Sequence, residues 1–161
     1  MRDFYSDLLN SVIGVDEVGR GALCGPVVSC ALVLNPNILN YDLLKEIDDS
    51  KKLNENKIKV LNNFITQNSS FSIGLANNFE IDKFNILQAT ILSMQRALNR
   101  FTKCKNIIRI DGKKIFSSER PLKFLVGGDK KSVSIASASI VAKCYRDAYV
   151  KQFSKLHPHY G

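Results

Sequence analysis

The pattern of apolar and polar positions at the start of the chain predicts two strands joined by a loop. Apolar side chains recur through Ser11–Val18, and an almost unbroken apolar run fills Pro26–Leu34. Both patterns are typical of β-strands. Three glycines lie in the segment 19–25 between them. We therefore expect a hairpin whose loop is longer than the tightest turns.

The rest of the chain alternates helical and extended patterns. Apolar residues at three- and four-residue spacing predict an amphipathic helix over Glu80–Arg100, which we expect to break near Asn85. Small residues, with no Gly or Pro, predict a long helix over Ser132–Leu156 that can approach a sheet closely. Further predicted elements are helices over Tyr41–Ile47 and Glu55–Thr66 and strands over Phe71–Ala76, Asn106–Asp111 and Leu122–Val126.

The order of these elements predicts an α/β fold, in which helices flank a mixed five-stranded sheet. With 161 residues, 45% of them hydrophobic, the chain can form one core of ordinary size. No linker, repeat or low-complexity tract divides it, so we expect a single domain over 1–161. The polar stretch 62–70 is interpreted as a helix end and a turn.

Net charge and cysteine content reduce the number of function classes to consider. The chain has 23 Lys and Arg against 15 acidic residues, a net charge of +8, which favours a polyanionic partner such as nucleic acid. Its four cysteines form no C-x-x-C pair, so we expect reduced thiols and no zinc site. No apolar run reaches the ~18 residues needed to span a bilayer, and no signal peptide is evident. We expect a cytoplasmic protein without a membrane segment.

Two adjacent acids, Asp16 and Glu17, end the first predicted strand. Successive strand side chains point to opposite faces, so a regular strand cannot aim both at one site. Because a bare buried carboxylate is costly, either the strand loses its regularity towards the glycines or a cation lies where the carboxylates converge. An isolated Asp–Glu pair is more often an exposed loop cap, so other acids have to decide between these interpretations.

Two later acids favour a metal site. Asp111 ends a predicted strand, at the edge where open α/β sheets gather their ligands, and Asp147 lies on the long helix. Four convergent carboxylates suit two Mg²⁺ or Mn²⁺ ions, the arrangement used in phosphodiester hydrolysis. Taken singly, Asp111 before Gly112 is more often a turn, and Asp147 four residues after Lys143 is more often a surface ion pair.

The segment Gly19-Arg20-Gly21 directly follows the acidic pair. Glycines here would let backbone N–H groups approach a sugar–phosphate chain closely, and Arg20 adds positive charge. Backbone groups on a tight loop are suited to sensing a 2′-OH, which distinguishes RNA from DNA. The loop therefore favours a nucleic-acid substrate that contains ribose.

The whole run Gly14–Val28 closely resembles the opening motif of the bacterial ribonuclease HII family. Further matches follow in family order, and together they extend the resemblance over about residues 12–161. They are Asp49–Leu53, Asn85–Thr90, Ile110–Gly112, Gly128–Asp129, Ser137–Lys143 and Tyr145–Asp147.

The resemblance implies a ribonuclease H-like fold and a monomeric endonuclease that uses Mn²⁺ or Mg²⁺. Such an enzyme hydrolyses the RNA strand of RNA–DNA hybrids and cuts at ribonucleotides embedded in DNA, leaving 5′-phosphate ends. The residues that match the family's four metal-binding acids are Asp16, Glu17, Asp111 and Asp147. Those that match its substrate-binding residues are Gly19, Arg20 and Gly21, which contact the 2′-OH, and Lys51 and Lys52, which contact phosphates.

The sequence departs from the family pattern at two points. Gly127 stands where the family usually has Lys, which removes one phosphate contact. The chain ends at Gly161, whereas family members generally continue into a segment whose Tyr packs on the junction sugar, so we expect a shortened C-terminal segment. Two rival hypotheses follow: a truncated hybrid-binding protein with weak or no cleavage, and a basic nucleic-acid-binding module whose acids are structural.

Overall fold

A five-stranded mixed sheet forms the centre of the molecule. The computed structural model describes residues 3–47 and 54–160. Its strands are β1 (Ile13–Val18), β2 (Val27–Leu34), β3 (Ser69–Ala76), β4 (Ile108–Asp111) and β5 (Leu122–Leu125). They are arranged in the order β3-β2-β1-β4-β5, with β2 antiparallel to β1 and β3, and with β4 parallel to β1 and β5. The α/β fold predicted from the element order is confirmed.

Helices cover both faces of the sheet. They are α1 (Ser6–Leu9), α2 (Leu43–Glu46), α3 (Glu55–Gln67), α4 (Asn78–Leu98) and α5 (Val133–Leu156). One core lies between the sheet and α3 and α5, and includes Leu32, Leu61 and Ile140. The other lies on the α4 face, where Met94 and Ala97 pack with Val15 and Ile110.

Glycine allows α5 to lie directly on β1. A Cβ built on Gly14 would stand 2.2 Å from the backbone carbonyl carbon of Ser134, so any other residue would push the helix away. This close contact places the small-residue face of α5 over the strand that carries Asp16. The small residues of this helix predicted such a close contact between the helix and the sheet.

The predicted break in α4 is present at Asn85, which has φ 68° and ψ 165°. Its side chain accepts hydrogen bonds from the amides of Leu87 and Gln88, so Asn85 caps the second half of the helix. The helix end and turn predicted within 62–70 are present, since α3 ends at Gln67 and a turn follows at Asn68, but Ser69 and Ser70 do not belong to the turn. Both residues belong to β3, because β2 is long enough to pair with them through Leu34 and Val33.

The described residues contain no helix that is long and apolar enough to cross a membrane.

Candidate active site

The parallel pairing of β1 with β4 brings Asp16 and Asp111 to adjacent positions. Val15 pairs with Ile110, and each acid lies one residue further along its strand. Val15 and Ile110 belong to the core on the α4 face, so the two acids point to the α5 face. An acidic cluster therefore forms where these central strands end.

Asp16 is the most deeply buried member of this cluster, with 6% of its surface exposed. Its Oδ1 accepts the Glu17 amide at 2.8 Å, and its carboxyl group is hydrogen-bonded by the Ser139 side chain from α5. The pKa of Asp16 is raised to about 8, mainly by burial and in addition by the nearby carboxylates of Glu17 and Asp111, whereas the Ser139 hydrogen bond opposes the shift. A cation bound beside this carboxylate would therefore stabilise its charged form.

Glu17 lies on the opposite face of β1. The strand stays regular to Val18, and Glu17 pairs with Ser29, whose hydroxyl bonds that of Ser93 in α4 at 2.6 Å. Loss of strand regularity, one of the two alternatives, therefore does not occur. Burial raises the pKa of Glu17 and the Asp111 charge adds to this, while Arg20, at 3.2 Å, opposes it. The charge of Asp111 thus raises the pKa of both Asp16 and Glu17.

Asp111 is held by a backbone amide from the segment that precedes α5. Gly128 N–H donates to its Oδ1 at 2.6 Å. A Cβ at Gly128 would stand 2.6 Å from Ile135 Cδ1 and 3.1 Å from that same oxygen, so glycine allows this closure. The half-buried Asp129 is next in the chain after Gly128. It belongs to the matched motif Gly128–Asp129 but not to the four acids that match the metal ligands of the family.

Asp147 lies elsewhere on α5. It follows Ser139 by eight residues, which places it about 12 Å further along the helix axis. Its carboxylate pairs with Lys143 Nζ at 2.9 Å, and the two side chains are 54% and 51% exposed. It lines a groove that Glu55 and Lys59 of α3 also border. The structure therefore gives Asp147 the surface ion pair that sequence analysis held as the alternative.

The loop between β1 and β2 is held by α5. Gly19 has φ +104°, and a Cβ there would stand 2.5 Å from the Pro26 carbonyl oxygen. Arg146 donates from Nε to that oxygen at 3.1 Å and from Nη2 to the Cys24 carbonyl at 2.7 Å. Gly21, by contrast, has nothing within 4 Å of its Cβ position. Arg146 is thus a positioning residue that sequence analysis did not identify.

The donors at this site fit a hard divalent cation. Asp16, Glu17 and Asp111 supply only carboxylate oxygens, the ligands that Mg²⁺ and Mn²⁺ prefer, and the pKa of Asp16 is raised because its charge is buried. Within residues 3–47 and 54–160, no three His, Cys, Asp or Glu side chains form a group able to hold an ion. Like charges repel, so carboxylates do not close on one point without a cation between them. The predicted phosphate contacts Lys51 and Lys52 lie outside the described residues.

The family model and the most similar relatives point to the same family. The family model for ribonuclease HII matches residues 13–161. A ribonuclease HII from Paramagnetospirillum magneticum is 42% identical over 151 residues, which cover 93% of this chain and 75% of the relative. One from Staphylococcus aureus is 45% identical over 154 residues, covering 94% and 58%. The chain thus spans three quarters of the first relative and less than two thirds of the second.

Solved structures share the fold. The ribonuclease HII in a complex with PCNA from Archaeoglobus fulgidus superposes with a TM-score of 0.78 at 20% identity, covering 94% of this chain and 80% of that chain. Bst-RNase HIII in complex with Mn²⁺ superposes with a TM-score of 0.75 at 22% identity, covering 91% and 55%. At this identity the likeness shows the fold alone.

Proposed function

The chain belongs to the ribonuclease HII family, and on that premise we propose that it is a metal-dependent endonuclease that hydrolyses the RNA strand of RNA–DNA hybrids. The observation that carries the proposal is the buried carboxylate of Asp16 beside Glu17 and Asp111, at the strand ends of a protein with a net charge of +8. The basic surface attracts the polyanion, and the acids supply the ligands for its hydrolysis.

Asp16, Glu17 and Asp111 would hold the metal ions. When bound, a pair of such ions activates water and stabilises the leaving oxygen of a phosphodiester, giving 5′-phosphate ends. The protein's own groups orient the ligands: Ser139 and the Glu17 amide hold Asp16, and the Gly128 amide holds Asp111. Arg20 lies against Glu17 and is exposed enough to meet a phosphate as well.

Cleavage at ribonucleotides embedded in DNA is the finer part of the proposal. The loop Gly19-Arg20-Gly21 would read the ribose through its backbone groups, with Lys51 and Lys52 on nearby phosphates. Arg146 supports this role because it fixes the loop against α5. A duplex with one ribonucleotide, compared with a long hybrid, tests it: a preference for the single ribonucleotide supports loop readout, and equal rates contradict it.

Asp16→Asn tests the catalytic proposal. We expect the rate of hybrid cleavage with Mn²⁺ or Mg²⁺ to fall about a thousandfold or more, because the metal loses its most buried ligand. The matched control is Asp42→Asn, which removes an exposed carboxylate paired with Lys45 away from the site. Full activity in Asp16→Asn would contradict the assignment. Metal-independent binding without any product, in the parent protein, would favour the binding-module alternative.

A further inference from the structure

A separate polar cavity lies against β5, at the edge of the sheet. Its volume is about 180 Å³. Lys114, Ser117, Ser118 and Arg120, from the segment that joins β4 to β5, line its polar side. Phe116 and Phe124 line the apolar side, with their rings edge to face at 5.7 Å. The acidic cluster contributes no residue to it.

The cavity contains hydrogen-bond donors that the described part of the protein does not satisfy. Arg120 Nε and Nη2 are both buried and have no hydrogen-bond partner there. The backbone N–H of Arg120 donates to Ser118 Oγ at 3.1 Å, which folds the segment into a turn round the cavity. Because buried guanidinium N–H groups are nearly always paired, these two donors indicate an acceptor that comes from outside the described part of the chain.

The other lining groups define the charge of that acceptor. Lys114 and Arg120 are both cations, Ser117 and Ser118 add hydroxyl groups, and no carboxylate of residues 3–47 or 54–160 lines the cavity. Several donors of this kind, converging in a small space, suit an oxyanion with multiple acceptor oxygens. An Arg fork with a Lys beside it is the usual arrangement for phosphate.

We propose that this cavity is a phosphate-binding subsite with Arg120 as its anchor. Lys114 follows Asp111 by three residues, and β5 runs parallel to β4 over Ile108–Asp111. The cavity lies on the α4 face of the sheet, since Leu122 and Phe124 pair with Ile108 and Ile110, whereas Asp111 points to the α5 face. A phosphodiester of bound nucleic acid, which rests on the proposed function, and free inorganic phosphate share the required chemistry.

The first experiment titrates the metal-free protein with inorganic phosphate and follows amide NMR signals. We expect saturable shifts at Ser117, Ser118 and Arg120. Arg120→Gln should weaken binding about tenfold or more, as expected when a charge-assisted hydrogen bond is lost, and Lys114→Gln should weaken it severalfold. Lys123→Gln is the matched control, since it removes an exposed cation on β5 that does not line the cavity. This arm needs no nuclease activity, so failure of the proposed function leaves it intact.

The second experiment measures binding of a short RNA–DNA duplex in EDTA over a range of salt concentrations. If a backbone phosphodiester occupies the subsite, Arg120→Gln reduces the slope of log K against log salt by about one, and Lys123→Gln does not. An unchanged slope together with saturable phosphate binding assigns the subsite to free phosphate. Absence of saturable phosphate shifts together with an unchanged slope overturns the proposal. The Lys114→Gln variant, which alters an exposed side chain, keeps both arms interpretable if Arg120→Gln fails to fold.

Discussion

At the scale of single residues, the site depends on carboxylates placed where water cannot solvate them. The fold keeps Asp16 buried beside two other acids, and its pKa rises to about 8 for that reason. Nothing in packing requires a charged group there, since Val or Ala would fill the same strand position without this electrostatic cost. Such a group is retained for its chemistry, and a divalent cation removes the cost.

The identity of the fourth acid can be tested directly with a matched pair of variants. Asp129 follows the glycine whose amide holds Asp111, whereas Asp147 forms an exposed ion pair with Lys143. We predict that Asp129→Asn lowers kcat for hybrid cleavage by about a hundredfold or more, and that Asp147→Asn changes it by less than about threefold. Steady-state kinetics of both proteins measure this. The opposite ranking would restore Asp147 as the ligand that sequence analysis proposed.

Two glycines of the loop after β1 differ in what they require. Gly19 has a positive φ and no room for a Cβ, while Gly21 has open space. We predict that Gly19→Ala lowers the free energy of unfolding by about 1–3 kcal/mol and displaces the loop. Gly21→Ala should leave stability within about 0.5 kcal/mol, so any loss of cleavage in that variant reports on substrate contact. Urea unfolding with activity assays distinguishes them. Equal destabilisation by both changes would argue against the geometry at Gly19.

At the scale of elements, α5 joins the separate parts of the site through one face. Ser132, Ser139 and Arg146 are spaced seven residues apart, so they lie along a single stripe of the helix. Ser132 caps the helix and bonds Asp7, Ser139 bonds Asp16, and Arg146 holds the loop at Cys24 and Pro26. A shift of this helix would therefore alter both the metal ligands and the substrate loop.

On the other face, the start of α4 is tied to its last turn. Glu80 bonds the Asn77 amide in a capping box and pairs with both terminal nitrogens of Arg96, at 2.6 and 2.8 Å, and Arg96 also donates to the Leu75 carbonyl. The side-chain hydrogen bond from Arg96 lowers the pKa of Glu80 to about 2. This ion pair therefore stabilises the fold above pH 4.5 and is lost as the pH falls towards 2.

Glu80→Gln keeps the capping bond but removes the charge, so we predict a loss of about 1 kcal/mol in unfolding free energy at pH 7. The difference from the parent should shrink as the pH falls from 4.5 to 2, because the parent carboxylate then becomes protonated. Glu55→Gln is the control, since its exposed pair with Lys59 spans 3.9 Å and is worth under about 0.5 kcal/mol. A difference from the parent that does not change with pH would contradict the ion-pair interpretation.

At the scale of the whole molecule, one buried acid links distant parts of the chain. Asp7 in α1 is ion-paired with Arg109 of β4, accepts a hydrogen bond from the Ser132 hydroxyl, and accepts one from the Ser134 amide at 3.2 Å. These contacts tie the N-terminal segment, the strand that carries Asp111 and the start of α5 to one another. The geometry of the site thus depends on a residue that is more than 100 positions from Arg109 and from the start of α5.

Asp7→Asn leaves Arg109 without its counter-charge in a largely buried position. We predict a loss of about 3–5 kcal/mol in unfolding free energy, the usual result of breaking a buried pair. Asp42→Asn, which affects only a solvent-exposed pair with Lys45, should leave the stability nearly unchanged. Thermal unfolding of both variants tests this. Similar stabilities in the two variants would show that the Asp7 network contributes little.

Local pattern was enough to predict the elements and the chemistry at their ends. The strands and main helices were placed within about two residues, because alternation and three-to-four spacing report burial directly. Asp16, Glu17 and Asp111 could be identified as strand-end acids for the same reason. The extent of β3 was missed because pairing with β2 carried Ser69 and Ser70 into the sheet, which their polar side chains do not indicate.

The sequence by itself determined the periodicities, the net positive charge, the position of the first two acids before a glycine loop, and the family. Only the tertiary structure decided which groups meet: the Gly128 amide on Asp111, Arg146 on the loop and Asp7 on Arg109. The reason is physical. Periodicity encodes which face of an element is buried, whereas these contacts depend on the register between elements. The contacts of Arg146 and of Asp7 join residues more than 100 positions apart, and their arrangement is settled only when the core packs.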